Sequence, residues 1–239
     1  MIGGWIGAPH KLCYLAVMLL ATRQNYSRAE LISDAVVHVL GVLAALMAVP
    51  VLVTLAIVLR GDTTAVTSTV VYGAALIAML VCSALFNMTT RPRPRRIFRS
   101  LDHTAILVKI AATYTPLALL SGAQATGLLA GLWTAAISGA AIRAFAPDRL
   151  RLAAVVLALL MGWAGLLAGG EVFAGLSLCV MVLITTGGLL YTVGVGFFLF
   201  DRLPFHYTIW HVCVLAASAV FYAAVTVQLV QSARDLPPA

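Results

Sequence analysis

A single carboxylate, Asp102, stands between an arginine run (Arg91, Arg93, Arg95, Arg96, Arg99) and the apolar segment from Thr104 to Leu120. A carboxylate at the mouth of a membrane helix is costly without a partner, so this position marks a candidate functional site. Two short polar elements offer partners. Ser83 and Asn87, four residues apart, share one helix face, and so do Tyr207 and His211. The Ser83 hydroxyl, the Asn87 amide, the Tyr207 phenol and the His211 ring could build a hydrogen-bonded network around Asp102. Such a network works only when every member is satisfied. A helix N-terminus at Asp102 would favour the anion through its dipole. His103 lies about 100° further round the helix and is expected to face elsewhere. Lys109 follows seven residues after Asp102, about 20° away in azimuth. Its stem leans toward the helix N-terminus, so it is expected either to bring positive charge toward Asp102 or to snorkel to the interface. Asp34 and His38, four apart, read as a proton-active pair or a structural hydrogen bond.

The elements that must position these groups are membrane helices. The chain is 62% hydrophobic and 10% charged, with a mean hydropathy of +1.04, far from the balance of a soluble domain. The fold class is all-α: a polytopic membrane protein, a seven-transmembrane helical bundle. Apolar runs of bilayer length place spans at roughly Leu31–Leu59, Val66–Met88, Thr104–Leu120, Ala125–Phe145, Leu150–Ala168, Ala174–Phe200 and Thr208–Val230. Pro50 predicts a kink or tilt in the first span. Ser121 to Ala125 is short enough to force an antiparallel hairpin. Residues 1–28 read as a cytoplasmic N-terminal or interfacial segment, 29–230 as the membrane domain and 231–239 as a short tail. Leu12 to Ala21 is too short to span.

With the N-terminus inside, twelve Lys and Arg fall in inside segments, against Arg60 and Arg234 outside. This bias predicts an N-in, C-out topology. It also brings Asn87, Asp102 and His211 to similar depth at the cytoplasmic face. The net charge of +7 sits in loops, where it sets topology and meets anionic headgroups rather than nucleic acid. Cys13, Cys82, Cys179 and Cys213 form no C-x-x-C pair and read as apolar thiols.

Taken jointly, Ser83-Ala-Leu-Phe-Asn87, Arg99-Ser-Leu-Asp102-His103, Ala112-Thr-Tyr-Thr-Pro116-Leu, Gly187-Gly-Leu-Leu-Tyr-Thr-Val-Gly194, Arg202-Leu-Pro-Phe-His206 and Ile209-Trp-His211 carry a signature. It resembles that of the hemolysin III-like branch of the progestin and adipoQ receptor family. Glu30, Asp34, His38 and Gly41 fit that family's first helix, and the resemblance covers about residues 26 to 226. It implies seven helices with a cytoplasmic N-terminus in the cell (inner) membrane. It also implies a zinc ion held by a span-two His and two span-seven His four apart, with an Asp opening span three beside a zinc-bound water. By position Ser83, Asp102 and His211 match. Asn87 and Tyr207 stand where the other two His belong, and neither is a good zinc donor. The resemblance therefore implies a degenerate zinc site with His211 as its vestige and His38 as a spare donor. Asp102 and Ser83 would be the catalytic candidates.

Three functions are expected to compete. One is a lipid- or partner-binding membrane protein with an eroded hydrolase site, its partners a membrane lipid or another membrane protein. The second is a metal-dependent lipid amide or ester hydrolase of ceramidase type, as the resemblance implies. The third is a membrane-permeabilising, cytolysin-like protein, as the family name implies. A retinal pump is excluded by the lack of lysine in span seven, and an inverted-repeat transporter is disfavoured by the odd span count.

Overall fold

The first long helix, α1 (Arg28–Leu59), starts at a capping box built by Ser27 and Glu30. The Ser27 hydroxyl accepts the Glu30 N–H at 3.2 Å, and the Glu30 carboxylate accepts the Ser27 N–H at 2.8 Å. This computed structural model describes residues 26–145, 151–168, 170–200 and 202–235. Within them follow α2 (Thr63–Met88), α3 (Pro92–Leu119), α4 (Thr126–Phe145), α5 (Arg151–Ala168), a short α6 (Gly170–Ala174), α7 (Leu178–Leu199) and α8 (His206–Arg234). No strand occurs among the described residues. The expectations for Leu12 to Ala21 and for Cys13 fall outside them.

The surface shows what medium these helices occupy. Along α1 the buried positions Asp34, His38, Gly41, Ala45, Val49, Leu52 and Ala56 form one stripe at spacings of three and four. The opposite face exposes Met47 at 75% and Val58 at 73%. An apolar face this long suits lipid, and α1, α2, α7 and α8 are each long and apolar enough to cross a membrane. In α5 the apolar stretch is shorter, Leu152–Leu166. The protein is an all-helical integral membrane protein.

Close packing depends on missing side chains at a few crossings. A Cβ on Gly73 of α2 would lie 2.4 Å from Val49 of α1, and one on Gly187 of α7 would lie 2.7 Å from Phe221 of α8. Gly194 likewise abuts Trp210 and Cys213, whereas Gly196 faces open space. α1 packs on α2 and α8, and α7 packs on α8. α3 is the hub, touching α2, α4, α5 and α8.

Two boundaries differ from the sequence reading. The arginine run is helical: α3 begins at Pro92, since proline at the first helical position gives up an N–H that has no partner anyway. The span expected from Ala174 to Phe200 instead breaks after α6. It resumes at α7, where the Ser177 hydroxyl caps the Val180 N–H at 3.4 Å. Neither Pro50 nor Pro116 ends its helix.

Candidate metal centre

The first and last long helices lie side by side with their N-termini at one end, and polar contacts fix their register. The Glu30 carboxylate accepts the Phe205 N–H at 2.9 Å. Phe205 itself is left-handed, with φ 57°, a conformation an ordinary side chain adopts only when its surroundings hold it. One turn further, the Ser33 and Thr208 hydroxyls pair at 3.2 Å. Deeper still, the ring of His211 donates from Nδ1 to Asp34 Oδ1 at 2.5 Å.

That register builds a cluster which the spacing within one helix does not reveal. Asp34, His38 and His211 are all buried, and one potential ligand atom from each lies within 4.8 Å of the others. The His38 and His211 ring centroids are 4.3 Å apart. His38 Nε2 lies 3.7 Å from Asp34 Oδ2, beyond hydrogen-bonding range. It is a buried nitrogen with no hydrogen-bond partner among the described residues.

Asp102 faces the same space. A cavity of about 30 Å³ is lined by His38, Ser83, Asp102, Trp210 and His211 among others, enough for a water or a single ion. Ser83 hydrogen-bonds the Asp102 carboxylate, and the Arg143 guanidinium acts on it as a positive charge. The helix dipole contributes little, because α3 starts ten residues earlier at Pro92 and the dipole's influence fades within the first turn. His103 turns away as expected, its Nδ1 donating to the Arg99 carbonyl at 2.6 Å.

The other candidates occupy the rim or leave the site. Asn87 Nδ2 donates to the Ser83 carbonyl at 2.9 Å and reaches Ser83 Oγ at 3.4 Å, so it steadies Asp102's own partner. Tyr207 stands edge-on to the His211 ring at 4.7 Å. His206 points out of the cluster, pairing with the Tyr26 hydroxyl at 2.7 Å. Lys109 donates to the Tyr191 hydroxyl at 3.0 Å rather than turning to Asp102 or to the interface.

Arg143, one of the twelve Lys and Arg counted as inside residues, adds a group that the sequence does not place in the site. It is buried, and burial of an arginine in the last turn of α4 puts its charge toward Asp102. The one available signal was an arginine placed two residues before the end of an apolar helix. Asp34 was assigned no part among the ligands, since its partner lies 177 residues away.

The profile of the family described as Haemolysin-III related matches residues 28–222. The chain belongs to that family. Among its relatives in this family, it is 35% identical over 208 residues to "Hemolysin-3" of Bacillus cereus, covering 85% of this chain and 94% of the relative. It is 34% identical over 200 residues to "Hemolysin-3 homolog" of Bacillus subtilis (strain 168), covering 82% and 92%. It is also 28% identical over 173 residues to "Monocyte to macrophage differentiation factor" of Homo sapiens, covering 69% and 71%. The residues present are chemically suited to hold a metal. Two imidazoles and a carboxylate are a donor set used by catalytic zinc, and His38 contributes an orphaned nitrogen to it. The candidate metal site of this chain is three residues drawn from α1 and α8.

Proposed function

We propose that this haemolysin-III related protein spans the cell membrane seven times with its N-terminus in the cytoplasm. We further propose that its cytoplasmic-side pocket is a zinc-dependent site for hydrolysing an amide or ester bond of a membrane lipid. The parallel contact of α1 with α8, both starting at one end, supports an even number of crossings between their starts. The positive-inside count supports the orientation.

The observation carrying the chemistry is the buried cluster of Asp34, His38 and His211, two of whose members, His38 and His211, line one cavity with Asp102. Asp34, His38 and His211 would hold the ion. When bound, it would supply an activated water at neutral pH. Asp102, oriented by Ser83 and flanked by the Arg143 charge, would serve as the proton-accepting carboxylate of the pocket. Asn87 holds Ser83 in place, and Tyr207 limits rotation of the His211 ring. Lipid reaches such a site without leaving the bilayer, because apolar side chains cover the outside of the helices.

A second reading draws on the short Asp34–His211 contact, which already pairs two of the three donors. On that reading the cluster is a structural ion pair and the protein binds a lipid or a membrane partner without catalysis. Metal analysis of the purified full chain separates the two. One equivalent of zinc, lost in His38→Ala and Asp34→Asn, supports the hydrolase; a metal-free wild type after zinc loading and desalting overturns it. Turnover is then followed on short-chain ceramide and ester substrates, with Asp102→Asn expected to retain zinc and lose activity.

A further inference from the structure

The start of α3 carries the arginine run from Arg91 to Arg99, and because the run is helical each arginine has a direction. At 100° per residue, Arg95 and Arg99 fall within about 60° of Asp102, on the inner face. Arg95 is folded back over the Phe86 ring of α2, 4.9 Å from its centroid. Arg93 and Arg96 fall about 180° and 120° from Asp102. They point outward, and both are exposed. Neither pairs with an acidic group among the described residues.

Residues three and four apart are neighbours on a helix surface, so Arg93 is flanked by Arg96 and Ile97, and the row continues to Leu101. Ile97 is 62% exposed and Leu101 44%. The outer face of α3 thus passes from two guanidinium groups to hydrocarbon over about 12 Å of helix axis. Leu85 and Met88 expose more hydrocarbon at the adjoining end of α2. Pro92 and Pro94 stiffen the display. They stand in the first turn, where backbone N–H groups have no partner within the helix, so the rigidity costs no hydrogen bond.

We propose that this outer face of α3 seats one anionic phospholipid. Its phosphate rests between Arg93 and Arg96, whose guanidinium groups offer paired donors to phosphate oxygens. One acyl chain lies over Ile97 and Leu101. Setting topology needs only the number of positive charges; it gives no reason for two of them to share an exposed face with apolar residues directly beneath. A water-soluble polyanion would meet the charge and leave the apolar residues unused, and a zwitterionic lipid would bring its own cation against two arginines. The opposite side of the same helix carries Asp102, so a lipid held here fixes the depth of a helix that lines the polar cavity. This inference stands apart from the proposed hydrolysis, since it uses none of the metal-capable residues.

Native mass spectrometry of the purified full chain in non-ionic detergent tests it. Dioleoylphosphatidylglycerol is titrated against dioleoylphosphatidylcholine, which has the same chains and no net charge. The first phosphatidylglycerol should bind about tenfold more tightly or better. Arg93→Gln and Arg96→Gln should each weaken it about fivefold. Arg28→Gln removes an exposed charge from the start of α1 and should change it by less than about twofold. Ile97→Gln should weaken both lipids alike. If a glutamine variant is not monodisperse, Arg93→Lys/Arg96→Lys takes its place and should also lose affinity, because lysine lacks the paired donors. Equal affinity for the two lipids in the wild type overturns the proposal. So does a loss in Arg28→Gln as large as that in Arg96→Gln, which marks a diffuse field instead of a seat. Displacement of the lipid by glycerol 3-phosphate at equal concentration, or an Ile97→Gln variant that binds both lipids as before, overturns it too.

Discussion

Asp102 and Lys109 ride the same helix seven residues apart, both buried, in surroundings that differ in kind. The carboxylate looks onto α2, α1 and α8, which supply Ser83, His38 and His211 to its cavity. The ammonium looks onto α5, α7 and α8, which supply one phenol and several ring faces. The first environment sets several polar side chains among apolar ones; the second is almost wholly apolar apart from the lysine. Burial of charge thus has two outcomes in one bundle. Where neighbouring helices bring polar side chains the carboxylate gains partners, and where they bring hydrocarbon the ammonium keeps one hydrogen bond and two ring faces.

Substitutions can break or sharpen this contrast. His211→Ala should have the largest effect, because it strips the buried Asp34 carboxylate of its short hydrogen bond. Losing one member of a buried pair costs about 3–5 kcal/mol, read as thermal or denaturant unfolding in detergent. The double variant Asp34→Asn/His211→Ala should recover part of that loss; strict additivity would mean the two side chains do not act as a pair. Ser83→Ala comes next, at about 1.5–3 kcal/mol for a hydrogen bond to a charged group. It should also leave metal content unchanged.

Asp62 provides a reference outside the bundle core. Its carboxylate caps α2 by accepting the Ala65 N–H at 3.0 Å and pairs with Arg60 at 2.7 Å. The Ala65 bond, with Arg60, holds the carboxyl below its ordinary pKa. Since the folded value is depressed, this stabilisation is fully present above about pH 4, the unfolded value, and fades as pH falls through the folded one. Asp62→Ala should cost about 1 kcal/mol at neutral pH and flatten stability against pH below 4. Lys109→Met should have the smallest effect, within about 1 kcal/mol and on the stabilising side if anything, because a well-packed apolar side chain replaces a buried charge with no carboxylate beside it. A loss of several kcal/mol would show that the ammonium is already paired and would erase the contrast.

Much of the architecture was legible because lipid exposure writes itself into long apolar runs. The stretches around α1, α2, α4, α5, α7 and α8 were all visible that way. The helical arginine run was not, since Pro92 and Pro94 among charges look like a linker until proline's tolerance in a first helical turn is considered. In the site, matched depth groups Asn87, Asp102 and His211; Asp102 and His211 line one cavity together with Ser83, and Asn87 does not. Asp34 and His38 were visible as a pair on one face, yet their place beside His211 depends on a contact between the two ends of the chain. No local periodicity encodes that. Lys109 was misdirected for a related reason. Its azimuth on α3 was right, but the helices packed there, α7 and α8, decide which atoms its Nζ reaches.

The junction of α1 with α8 has a consequence for how the protein is made. Two of the three metal-capable residues are inserted first and the third last, with all the intervening helices threaded between. During biosynthesis Asp34 and His38 must wait in the membrane for His211 to arrive. A ribosome-stalled or truncated chain lacking α8 would hold a naked carboxylate in the bilayer, a signal by which membrane quality control can recognise an unfinished molecule.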